Sequence, residues 1–344
     1  MLKFVRIAFG LLLISALVWY VWKHPQELER LGQLSFPLLF GVFCLVSAGY
    51  FCFIVSTWWL IRLDAPAIGL GEYFLLSASG LALNALAPPG SGYAVKTIYL
   101  KQRHGLKHRE FLSVNIVIAL LALSASGLLA SLALGFLQLD HRQVAPLVLV
   151  LAIVAFVSPL IMLALMDWVL LVPFVRKREI DATHYHALLR NRTWVVITAL
   201  MQLFRSGFSF LGFGLLFQAV SSEPVVVGGT LDALSTLLRL VHLIPGNLGL
   251  YEWVVAGLAD ALGASLSAGL LAAVMFRIIS LAAVLLPALG GQFFFQDHRM
   301  GGNDKGESES GARVSIVDPL SSQARAVCDL FAVPHGPLVA PQES

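Results

Sequence analysis

Two hydrophobic segments of this chain are interrupted at matching places by glycine and proline: ALAPPGSGYAVK at residues 85–96 and LIPGNLGLYE at residues 243–252. Each contains Pro-x-x-x-Gly, as Pro88 to Gly92 and Pro245 to Gly249. Unwound backbone carries polar groups that hydrocarbon cannot satisfy, so within a membrane it is tolerated only where it is buried in protein or lines a cavity. Paired interruptions in the two halves of a chain point to discontinuous helices around a midplane binding site, the arrangement of secondary transporters.

That argument requires a membrane, and the composition supplies it. Of 344 residues, 58% are hydrophobic and 12% charged, with mean hydropathy +0.82; an ordinary soluble domain carries about 25% charged residues. A helix needs about 20 apolar residues to cross the hydrocarbon. Stretches at 5–22, 36–61, 111–136, 146–172, 194–220 and 266–295 meet or approach that length. The first ends in WYVWKHPQ, an aromatic cluster suited to an interfacial anchor, with no small-residue cleavage site, so it reads as a retained span.

Basic residues set the orientation. Lys3, Arg6, Arg62, Lys101, Arg103, Lys107, Arg109, Arg176, Lys177, Arg178, Arg190 and Arg192 fall on one side, against Lys23, Arg30 and Arg142 on the other. The excess marks the cytoplasmic face and places both termini there. The assignment holds only if each broken segment enters and leaves by the same face. The expected fold is therefore all-α and polytopic, with about six transmembrane helices and two re-entrant helical hairpins. Span, hairpin and span recur with opposite orientation over 36–136 and 194–295, an inverted-topology repeat within a membrane domain of residues 1–296. Residues 297–344, rich in glycine, serine and charge, read as a disordered cytoplasmic tail.

Several function classes have no support. Cys44, Cys52 and Cys328 give neither a disulfide framework nor metal-ligand spacing. His104 and His108 are spaced i, i+4, but no carboxylate or cysteine completes a ligand set, so no metal or cofactor is expected. Nucleotide-binding and hydrolase signatures are missing, and the chain reads as a non-enzyme that does not bind nucleic acid. The run at 101–110 either attracts anionic lipid or only sets topology.

Ionisable residues inside spans are costly and mark functional pathways. Most lie in the second half: Arg205, Asp232, Arg239, His242, Glu252, Asp260 and Arg277. One reading has Arg277 and Arg239, with unpaired backbone N–H groups where a helix begins near Gly249, forming an anion site. Glu252 would then pair an arginine or carry a proton. The other reading is a salt-bridge lattice that only holds the hairpin. Pro245 ends one arm, and Gly246, Asn247 and Gly249 permit a sharp turn. Asn84, Pro88 and Gly92 play the matching part in the first hairpin, and Lys96 one turn later either holds a headgroup phosphate or snorkels to the interface.

With these segments in view, the chain resembles the flippase-like membrane family that includes the transmembrane domain of lysylphosphatidylglycerol synthases, over about residues 5–295. The family's first hairpin reads approximately Asn-x-x-x-Pro-x-x-x-Gly-Glu-x-x-Arg, matched by Asn84, Pro88, Gly92 and Lys96, with Tyr93 in place of the Glu. Its second reads approximately Pro-x-x-x-Gly-x-x-Glu, matched by Pro245, Gly249 and Glu252, with a later intramembrane Arg matched by Arg277. The Glu-Arg pair usual near the start of the following span is absent from VNIVIALL. The resemblance implies a bacterial inner-membrane protein that moves a lipid or lipid-linked headgroup between leaflets. The lipid would carry a phosphate or a glycolipid headgroup, and lipid-biosynthesis enzymes are possible partners. The competing expectation is a non-transporting subunit that docks a lipid- or glycan-modifying enzyme.

Overall fold

The computed structural model describes residues 34–86, 90–140, 146–164, 190–239 and 249–300, with Ser15, Trp19 and Gly32, the side chains of 86, 237–239 and 291–300 excepted. These residues are all-helical. In chain order the helices are α1 (Phe36–Ile61), α2 (Leu70–Leu86), α3 (Ser91–His104), α4 (His108–Leu139), α5 (Pro146–Ala164), α6 (Arg192–Ser221), α7 (Val225–Arg239), α8 (Leu250–Ala261) and α9 (Leu266–Met300). The expected first span at 5–22 lies outside the described residues, as does the tail from 301 onward.

Length and hydropathy make α1, α4, α5, α6 and α9 candidate membrane spans. The helices between them are shorter. α2 and α3 have 17 and 14 residues, and α7 and α8 have 15 and 12. At the helical rise these measure roughly 26, 21, 22 and 18 Å, against about 30 Å of hydrocarbon. The order long, short, short, long therefore occurs twice, with α5 between the two sets.

The packing repeats as well as the order. Within the first set α2 lies on α3, α3 on α4, and α1 on both α2 and α4. Within the second, α7 lies on α8, α8 on α9, and α6 on both α7 and α9. Across the sets α1 packs along α6, α2 meets α9 as α7 meets α4, and α1 meets α9 as α6 meets α4. Exchanging the sets leaves this pattern unchanged. That is what two structurally related halves around a shared axis at α1 and α6 would produce.

Large apolar side chains point both inward and outward. Phe213, Phe217, Leu216, Val255 and Ala259 are buried in the main core, while Ile54, Leu60, Tyr73, Leu100 and Phe111 fill a second core inside the first set. Phe36, Phe40, Phe136, Leu132, Leu147 and Leu286 are exposed, as suits side chains solvated by lipid tails. With no hydrophobic drive between helices in lipid, close approach depends on small residues. A Cβ on Gly127 would come 2.4 Å from the Phe156 amide nitrogen, which shows how tightly α4 and α5 meet.

An apolar cleft of about 430 Å³ lies between α1, α2 and α9, with Phe43, Tyr50, Phe51, Phe74, Ala78 and Pro287 among its lining residues. Pro287 lies inside α9. It cannot donate to the carbonyl four residues back, on Ala283, another residue of this wall.

Candidate functional site

The predicted site residues that are described fall into two groups, one on the first short helical pair and one on α7, α8 and α9. In the first, Gly90 adopts φ 86°, a left-handed conformation open to glycine, and α3 begins directly after it. The Gly92 N–H donates to Asn84 Oδ1 at 3.0 Å, so a side chain from α2 caps one of the amides at the start of α3. Ser91 Oγ donates to the Leu83 carbonyl at 3.2 Å, a second tie between the arms. Pro88 lies outside the described residues.

Gly92 itself is helical and buried. Its role is to let backbones meet, since a Cβ there would fall 1.8 Å from the Gly80 carbonyl oxygen. Gly80 in turn leaves room for Lys96, whose Cε would be 2.5 Å from a Gly80 Cβ. Lys96 is 8% exposed, and its ammonium lies 6.0 Å from the centre of the Tyr73 ring. It is packed inside the protein. Tyr93, standing where the resembled family has Glu, packs its ring against Phe111 at 5.0 Å and His108 at 5.9 Å.

In the second group, Gly249 at φ 81° precedes α8 just as Gly90 precedes α3. Glu252, three residues later, is 3% exposed. Its Oε2 accepts the Gly249 N–H at 2.8 Å, and its Oε1 accepts from Arg277 Nη1 of α9. Glu252 thus pairs an arginine, one of the two roles expected of it, and takes up one of the amides at this helix start. Glu252 occupies that position as an internal anion, with one oxygen on each donor. Arg277 also lies 5.8 Å from the Tyr251 ring centre. Arg239 closes α7, but its side chain lies outside the described residues, as do Pro245, Gly246 and Asn247. Asp232 is buried and Asp260 exposed.

A family described as lysylphosphatidylglycerol synthase TM region matches residues 7–288, a span that contains both groups. The chain belongs to this family. Membership supports a multi-pass membrane protein of lipid-related function. No curated protein and no solved structure matches the chain.

Some polar residues of this family member were not singled out from sequence. Glu72 Oε1 at the start of α2 receives Tyr99 Oη at 2.6 Å, His104 Nε2 at 3.0 Å and Arg103 Nε at 3.1 Å, which ties the far ends of α2 and α3 together. His104 is thus engaged by a carboxylate, and among the described residues no cluster suits a metal ion. Between α1 and α6, buried Gln202 donates to Ser56 Oγ at 2.7 Å and accepts from Arg205 Nη1 at 3.2 Å. Tyr73, Ser77, Gly80 and Asn84 are spaced i, i+4, i+7 and i+11, one face of a helix and the signal that would have found them.

Proposed function

We propose that this protein carries a lipid with an anionic headgroup between the leaflets of the bilayer, acting as a transporter and not as an enzyme. The observation that carries the reading is the position of Glu252. A substrate phosphate or carboxylate needs the same two donors that Glu252 now holds, the Gly249 N–H and the Arg277 guanidinium. In the proposed mechanism the headgroup displaces the Glu252 side chain, or protonation of Glu252 releases the donors. The carboxylate returns when the headgroup leaves.

Three further features support this reading. The short helices fit re-entrant hairpins, with polar ends inside the membrane where the surrounding protein satisfies them. The packing pattern, unchanged when the halves are exchanged, suits two repeats that rock against each other about α1 and α6. The apolar cleft between α1, α2 and α9 offers the lipid tails a lateral path beside the first pair.

Lipids retained by the purified protein test the proposal. Glu252→Gln keeps an oxygen to accept the Gly249 N–H but surrenders the charge that competes with substrate. It is expected to retain several-fold more anionic lipid than the wild type by mass spectrometry, and to move labelled lipid across proteoliposomes much more slowly. Equal retention of the same bulk lipids, with transport unchanged, would remove Glu252 and Arg277 from the mechanism.

A further inference from the structure

Two charged side chains inside the described helices have clear partners. Glu252 meets Arg277, and Arg205 has Gln202 and the face of Phe53 at 4.7 Å. Lys96 differs from both. It is 8% exposed, and among the described residues it has neither a hydrogen bond nor an ion pair, only the edge of the Tyr73 ring's reach at 6.0 Å. An ammonium removed from water without a counter-charge is strongly disfavoured unless an anion completes its surroundings.

The neighbouring hydroxyls are in the same condition. Tyr73 is 0% and Ser77 1% exposed; the Tyr73 hydroxyl lies near those of Ser77 and Thr57, but neither the Tyr73 Oη nor the Ser77 Oγ makes a well-formed hydrogen bond among the described residues. Both residues lie on the face of α2 that carries Gly80, the glycine against which the Lys96 stem packs. Buried hydroxyls nearly always make well-formed bonds, so two that do not, on the helix face that meets an unpaired cation, call for a common explanation. A single ligand with several acceptor oxygens and negative charge would satisfy all three.

We propose that Lys96, Tyr73 and Ser77 form a phosphate-binding subsite on the first helical pair, which takes the phosphate of a lipid headgroup. Lys96 supplies the charge as a compact ammonium, a common way to hold phosphate, and the two hydroxyls donate to its oxygens. Gly80 is part of the site, because any side chain there would occupy the space of the Lys96 stem. The subsite deepens the lipid-transport reading and rests on it, giving the headgroup a station on the half of the protein opposite Glu252 and Arg277.

The test is titration calorimetry on the full chain in a zwitterionic detergent, with short-chain phosphatidic acid, short-chain phosphatidylcholine and inorganic phosphate as separate probes. Wild type is expected to bind the phosphatidic acid saturably. Lys96→Gln should weaken that binding at least tenfold, Tyr73→Phe and Ser77→Ala by several-fold each, and Gly135→Ala, which adds a Cβ with nothing within 4 Å, should not weaken it. If Lys96→Gln does not fold, Tyr73→Phe and Ser77→Ala decide the matter, since each removes a hydroxyl and little else. Binding that is unchanged in the hydroxyl variants and in Lys96→Gln overturns the subsite. Binding lost in the Arg277→Met, Glu252→Gln double variant but unchanged in Lys96→Gln would overturn it while leaving the proposed function standing. Inorganic phosphate bound as tightly as the lipid, and dependent on Lys96, would overturn the lipid as the source of the anion.

Discussion

Gly92→Ala is expected to force apart the two arms of the first helical pair and to destabilise the protein by about 3 kcal/mol or more, at or above the upper end of the range for overpacking a tight interior. The added Cβ would fall 1.8 Å from the Gly80 carbonyl oxygen and 2.6 Å from its carbon, and both are backbone atoms of a helix. No rotamer change can relieve such a contact. Relief requires α3 to move, which would break the 3.0 Å bond from the Gly92 N–H to Asn84 and pull Lys96 out of the space above Gly80. Gly135→Ala in α4 is the control, since nothing lies within 4 Å of its added Cβ. That change should be neutral, or stabilising by up to about 1 kcal/mol through helix propensity. Unfolding in mixed micelles measures both. A Gly92→Ala protein as stable as wild type would show that the two arms do not touch at this point.

Much of this arrangement is legible in the sequence, and what is not depends on how helices meet. The short helical pairs are legible because glycine and proline act locally. Gly90 and Gly249 take up positive φ where a second arm begins, wherever the rest of the chain lies. Glu252 three residues after Gly249 is also a local signal, a carboxylate at the position that reaches back to the first amides of a helix. Its partner is not local. Arg277 is 25 residues further along, and only the packing of α8 on α9 decides that it, and not Arg205, meets Glu252. The same holds for Lys96. Its place in the first broken segment is plain, but its burial follows from the backbone approach of Gly80 to Gly92, which no spacing encodes. The stripe of Tyr73, Ser77, Gly80 and Asn84 is visible as a helical face, yet it gains meaning only once α3 is laid against it.

The pairing of Glu252 with Arg277 gives the second large effect, and it separates folding from function. Arg277→Met removes the guanidinium, whose side chain is 19% exposed, and leaves a carboxylate on a side chain 3% exposed with only the Gly249 N–H to satisfy it. Breaking a buried pair in this way costs about 3 to 5 kcal/mol, mostly because the surviving charge is stranded. Arg277→Met with Glu252→Gln should recover most of that loss. No charge is then left behind, and the glutamine oxygen still accepts the Gly249 N–H at the start of α8. The double variant is expected to lie within about 1 kcal/mol of wild type, because replacing both members of a buried pair by neutral groups is often close to neutral. Unfolding in mixed micelles gives the cycle, and a double variant no more stable than Arg277→Met alone would mean that the pair does not set the cost. The same protein is the cleanest probe of transport. It retains the fold of the second pair but has lost the cation that an anionic headgroup would need, so in proteoliposomes it should be as stable as wild type and inactive. Transport at the wild-type rate by this folded variant would show that the buried pair only fastens α8 to α9.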